Sequence, residues 1–184
     1  VALLNLPCPT DVVVALGVLA SHQDHLPHLL ACADCVPTLA RLVCAHTPRG
    51  GAKNHSGNDV FRDRDRLAAA AANTLANLCA SHAAARETLA KHDVVRGLTE
   101  AVAERSRLLD TNFGGKRKKK LNDDALDAAL LATTNATTDH QGNADRAVAC
   151  GALPAILASL PFSLDNALRA LHTLVHGHHK HLSS

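Results

Sequence analysis

Chemistry in this chain is most plausible around His28, Cys32, Cys35, Cys44 and His46. These five side chains fall in one short stretch, include a Cys-x-x-Cys pair, and are the ligand types a tetrahedral zinc ion accepts. Zinc modules built on such pairs use two of them, and this chain has no second pair. Cys35 also occupies a position that is apolar elsewhere in the chain, where Val94 and Ala152 stand, so packing accounts for it better than ligation. At the other end His176, His178, His179 and His181 offer imidazoles suited to a divalent ion, against the simpler reading of an exposed terminus. The run Lys116-Arg117-Lys118-Lys119-Lys120 has the composition of a nuclear-import signal or a dock for acidic partners; the glycines before it make a solvated loop the default. A Gly-rich phosphate loop, paired carboxylates at acid–base spacing and an unexplained Cys-His pair are all missing. The expectation is a non-catalytic protein with no cofactor and no metal.

The composition says which elements must carry these residues. Of 184 residues, 47% are hydrophobic but only 2% aromatic, with three Phe and no Trp, Tyr or Met. The apolar load falls on Ala, Leu and Val. Ala and Leu are strong helix formers, and Ala lets helices approach closely, so the fold class expected is all-α. A net charge of +2 with 20% charged residues gives no global attraction to nucleic acid or anionic membrane. No apolar run approaches the roughly 20 residues that cross a bilayer, and Val1 to Pro9 lacks the basic region and cleavage site of a secretory signal. The chain starts with Val, which leads to the expectation of a fragment of a longer protein. Six Cys scattered through Ala- and Leu-rich segments read as reduced, buried thiols, and hence as a cytoplasmic or nuclear protein. The sequons at Asn54 and Asn135 are short enough to arise by chance and carry no weight.

Laying the chain on itself reveals an internal repeat. Asp34-Cys35-Val36-Pro37-Thr38-Leu39, Asp93-Val94-Val95-Arg96-Gly97-Leu98 and Gly151-Ala152-Leu153-Pro154-Ala155-Ile156 align without gaps, each preceded by an amphipathic stretch. A second block pairs Ala15-Leu16-Gly17-Val18-Leu19, Thr74-Leu75-Ala76-Asn77-Leu78, Thr133-Thr134-Asn135 and Ala170-Leu171-His172-Thr173-Leu174. Each unit therefore reads as a short helix, a sharp turn at Asp or Gly, a second helix often entered through Pro, and a longer third helix. Pro is tolerated there because a first-turn amide has no intrahelical partner to lose.

This pattern resembles the armadillo-repeat family, in which a turn like Gly151-Ala152-Leu153-Pro154 is followed by a third helix ending like Asn73-Thr74-Leu75-Ala76-Asn77-Leu78. The resemblance implies a right-handed superhelix of about three repeats. The units are a third helix at residues 1–21, repeats at 22–81, 82–140 and 141–177, and the start of another at 178–184. The spacings from Leu19 to Leu78 and from Leu78 to Ala136 exceed the about 40 to 47 residues of such a repeat, so two loops are inserted, near residues 46–59 and 110–123.

One unit cannot bury its apolar face alone, so stacking places successive third helices side by side along a concave surface. Asn73 and Asn77 share a helix face, and Leu131 with Asn135 and Arg169 with Thr173 hold equivalent positions, forming a ladder. Family resemblance implies that Asn77 and Asn135 clamp the backbone of an extended partner polypeptide, an amide offering both donor and acceptor. Alternatively the two amides bond neighbouring helix ends and fix the stack. Importin-type relatives pair such Asn with Trp four residues earlier; Asn73 and Leu131 stand there instead, which argues against nuclear-localisation peptides as ligand. The run Ala128 to Asn135, followed by Asn143, Cys150, Gly151 and Leu153-Pro154, resembles the GDP-dissociation stimulators of small GTPases. That likeness implies binding of Rho- or Ras-type GTPases and release of their GDP; nuclear-transport or cytoskeletal adaptors, then a metal-binding protein, are the alternatives.

Overall fold

The structure is a computed structural model that describes residues 9–45, 58–112 and 123–179. Helices follow the Ala- and Leu-rich segments, and no strand occurs among the described residues. Their order is α1 (Pro9–Ala20), α2 (Leu26–Ala31, entered through a short 3-10 turn), α3 (Cys35–Ala45), α4 (Asn58–Ser81), α5 (Ala83–Lys91), α6 (Val94–Asn112), α7 (Asp124–Thr137), α8 (Gln141–Ala149), α9 (Ala152–Ser159) and α10 (Leu164–His179). The fold is all-helical, and no single described helix is long and apolar enough to cross a membrane.

Local chemistry sets the helix ends. Asp123 caps α7 by accepting a hydrogen bond from the Leu126 amide at 2.9 Å, relieving one of the orphan donors of the first turn. His140 does the same for α8, its Nδ1 accepting from the Asn143 amide at 3.1 Å. The turns before α6 and α9 pass through left-handed backbone at Asp93 (φ 53°) and Gly151 (φ 86°), the two positions that the repeat alignment pairs. Asp34, aligned with them, does not share that conformation. Pro37 and Pro154 lie in the first turn of α3 and α9, where a missing amide costs nothing. The loops expected near 46–59 and 110–123 are trimmed by helix: α4 already begins at Asn58, and α6 runs on to Asn112.

Packing arranges the helices in rows. The long helices touch in the order α1, α4, α7, α10, and the helices before them in the order α3, α6, α9; α3 also packs on α4, and α6 on α7. Between the rows lies one core, in which Leu75, Leu78, Leu98, Leu126, Leu130, Ile156 and Leu174 are fully buried. Close approach demands small residues. A Cβ on Gly97 of α6 would stand 2.4 Å from Cys44 Sγ of α3, and one on Gly17 of α1 would stand 2.9 Å from Thr74 Oγ1 of α4. Leu19, aligned with the buried Leu78, is an exposed residue.

Candidate functional site

Asn77 and Asn135 make the same bond one unit apart. Asn77 Nδ2 donates to Gly17 O at 3.0 Å, tying α4 to α1, and Asn135 Nδ2 donates to Ala76 O at 3.0 Å, tying α7 to α4. The repeat alignment pairs Gly17 with Ala76, so the register is preserved from one contact to the next. Thr74 strengthens the first contact: its hydroxyl lies 3.1 Å from Val13 O and 2.8 Å from Ala70 O, and its single hydrogen serves one at a time. Both asparagines are half-buried, and each bond takes one of the two amide hydrogens. The other hydrogen and the carbonyl oxygen remain within the bonding capacity of the side chain.

The rest of the ladder sits on the same row of helices. Asn73 on α4 and Arg169 on α10 are exposed, while Leu131 on α7 and Thr173 on α10 are half-buried. The Thr173 hydroxyl donates to Arg169 O at 3.0 Å, a bond within its own helix, so α10 has no side-chain link like that of Asn135 at this position. Two further residues belong to this face. Val14 and Val18 of α1, 50% and 56% exposed, hold the positions of Asn73 and Asn77. The alignment sets Val18 beside Asn77, but the expected ladder began at α4 and did not include α1.

A fourth asparagine is wholly structural. Asn143 of α8 is fully buried, and its Nδ2 donates both to Arg86 O of α5 at 3.0 Å and to Ala136 O of α7 at 2.8 Å. Its Oδ1 has no partner among the described atoms. Arg86 in turn donates through Nε to Cys79 O at 2.9 Å and through Nη1 to Thr138 O at 2.8 Å, so one guanidinium and one amide lock the turn after α4 to the turn after α7. Burial pushes the Cys79 thiol beneath this network up to about 12, the nearby Arg86 charge offsetting part of the rise.

Arg105 of α6 holds the outer ends of the long helices. It meets Asp65 of α4 at 2.8 Å and both carboxylate oxygens of Asp123 at 2.8 and 3.1 Å, so the cap of α7 is also an ion-pair partner. Burial alone would lower the affinity of Arg105 for its proton, and the two carboxylates reverse that, leaving it above its ordinary value. Beside it, Val43, Ala72, Ala101, Ala125 and Ala129 line a crevice of about 10 Å³, room for one water and not for a metabolite.

Among the described residues the thiols and imidazoles do not assemble. Cys35 is buried in the core, Cys32 is exposed, and Cys44 faces Gly97; burial raises the Cys35 and Cys44 thiols above their usual range. No three His, Cys, Asp or Glu side chains come together at metal-binding distance among the described residues. His46, Lys116 to Lys120 and His181 lie outside the described residues, as do most of the two expected insertions. Compared with known proteins, the chain matches no family model and no curated protein.

Proposed function

We propose that this chain is an armadillo-type helical-repeat scaffold that binds an extended segment of a partner polypeptide across α1, α4, α7 and α10 and catalyses no reaction itself. The observation that carries the reading is the pair of equivalent bonds from Asn77 to Gly17 and from Asn135 to Ala76. A repeated link of one register sets side chains at a regular interval across neighbouring helices, and a polypeptide backbone offers donors and acceptors at regular intervals too. The face runs from apolar Val14 and Val18, through the amides, to cationic Arg169. A fitting segment is apolar at the α1 end and carries an acidic side chain at the α10 end.

Asn77 and Asn135 are poor probes of this idea, because replacing either also cuts a bond between helices. Asn73 and Arg169 are exposed and have no such bond. The expected outcome for Asn73→Ala with Arg169→Ala is loss of at least tenfold in affinity for a captured partner, with the helical circular dichroism unchanged. A partner held equally well by wild type and the double variant refutes the groove. The resemblance to GDP-dissociation stimulators makes Rho- and Ras-type GTPases the first partners to assay; unchanged release of labelled GDP across such a panel removes that branch and leaves the groove standing.

A further inference from the structure

Cys32, Ala33, Asp34 and Cys35 make the turn between α2 and α3, and the Cys35 amide donates across it to the Cys32 carbonyl at 2.9 Å. A turn closed in this way keeps its first and fourth Cα atoms within about 7 Å, and a disulfide spans about 4.4 to 6.8 Å between Cα atoms. The backbone therefore brings the two cysteines to the reach of a bridge. Equivalent turns are built differently. Before α6 and α9 the chain passes through left-handed backbone at Asp93 and Gly151, and the Gly151 amide bonds back to Val148 O at 3.0 Å. At the α2–α3 turn Cys32 is instead extended, with φ −77° and ψ 99°. The positions of the two cysteines are held by Lys91 and Val94 in the next unit and by Ala149 and Ala152 in the one after, so the dithiol coincides with the aligned turn that departs from the others. Access separates the two thiols: Cys32 is exposed, Cys35 is 6% exposed, and both are unbridged. Among the described residues no third His, Cys, Asp or Glu joins them, so the pair does not make up the ligand set of a zinc ion.

We infer that Cys32 and Cys35 form a reversible disulfide site that reacts with low-molecular-weight disulfides of the glutathione type, Cys32 as the attacking thiol and Cys35 as the resolving one. The site is independent of what the groove binds. Cys32, exposed to solvent, attacks as its thiolate one sulfur of oxidised glutathione. A bond forms between Cys32 Sγ and that sulfur, the glutathione disulfide breaks, and the departing glutathione thiolate takes up the proton that Cys32 gave to solvent. Cys35 then loses its proton and attacks Cys32 Sγ, which forms the Cys32–Cys35 bond and releases the second glutathione as a thiol. The two protein thiols are oxidised to one disulfide, and one oxidised glutathione is reduced to two thiols. Burial raises the Cys35 thiol above its usual range, so it does not compete with Cys32 for the oxidant in solution. Once Cys32 carries the glutathione, the closed turn supplies the proximity that the resolving step needs. A ring this short removes little entropy from the unfolded chain, so the bond answers to the redox poise of its surroundings and is not a staple of the fold.

Mass spectrometry of the full chain tests this. The reduced protein is incubated with oxidised glutathione, its remaining thiols are alkylated, and it is cut with trypsin; residues Val1 to Arg41 form one tryptic peptide that holds Cys8, Cys32 and Cys35, and fragmentation reads which of them are joined. The wild-type peptide is expected to lose two hydrogens, to carry the Cys32–Cys35 bond and to retain no glutathione at either position. In Cys35→Ser the adduct cannot resolve, so Cys32 keeps one glutathione. In Cys32→Ser the buried Cys35 takes up glutathione at least tenfold more slowly than Cys32 does in Cys35→Ser. Circular dichroism checks that each variant folds, and the wild-type result decides the proposal if one does not. Alkylated thiols at both positions of the wild type overturn the proposal, as does a lasting glutathione on Cys32 or a bond from either cysteine to Cys8. Stoichiometric zinc that copurifies with the reduced protein and blocks the oxidation overturns it too, because the pair would then be metal ligands.

Discussion

At the residue scale the asparagines show how one side-chain type serves three different ends. Asn73 is exposed, Asn77 and Asn135 join long helices, and Asn143 is sealed in the core between α5 and α7. Their helix-face spacing was legible in the sequence, as was the alternative that Asn77 and Asn135 bond neighbouring helix ends; which carbonyl each reaches was not, because a partner some 60 residues away is fixed by packing and not by local pattern. Cys79 carries a testable consequence of the same packing. Its thiol rises from an ordinary 9.0 to about 12 in the fold, so well below pH 9 it is protonated in both states and contributes nothing to pH dependence. Above that the unfolded chain loses its proton first, and stability falls by up to about 1.4 kcal/mol per pH unit until the folded thiol also ionises near 12. Urea midpoints measured from pH 8 to 11 are expected to fall more steeply for the wild type than for Cys79→Ala. Parallel slopes would show that the thiol does not couple to folding.

At the element scale the sequence located the helices well wherever a repeat copy supported the reading, and badly at the edges of the insertions. The long α4 starts inside the stretch read as a loop, since Gly, Asn and His composition speaks of turns and says little about where a helix begins again. His82 and His140 align at the start of α5 and α8, yet only His140 makes a side-chain cap, a difference that no sequence pattern reveals. Glycine is clearer. Gly97 is the point at which α6 passes Cys44 of α3, and the added methyl of Gly97→Ala would enter space that the sulfur fills. That change is expected to lower stability by about 1 to 3 kcal/mol through overpacking. With Cys44→Ala in place the obstruction is gone, and the higher helix propensity of Ala makes the same change favourable by up to about 1 kcal/mol. A double-mutant cycle on urea midpoints measures the reversal of sign; equal penalties in both backgrounds would mean that the helices do not meet there.

At the scale of the whole molecule, rows of helices that touch chiefly their neighbours share stability locally. α10 packs on α7, α8 and α9, and Leu174 is its fully buried anchor. Leu174→Ala is expected to remove about 2 to 5 kcal/mol of burial and packing at that end. Amide exchange should then quicken by at least tenfold in α8, α9 and α10 while α1 and the second half of α4 keep their wild-type rates. Equal acceleration everywhere would mark a single cooperative unit. The sequence conveyed the repeat and its apolar periodicity because each copy restates the same helix faces. It could not convey that Leu126 is buried and Leu164 exposed, since they are the same residue type at the same position and differ only in what stands beside them.

The two stitches from Asn77 and Asn135 both point backwards, from a later helix to the backbone of an earlier one. A chain emerging from the ribosome presents its early segments first. Each acceptor carbonyl is thus in place before the amide that seeks it has been made, and assembly can keep pace with synthesis without waiting for the far end.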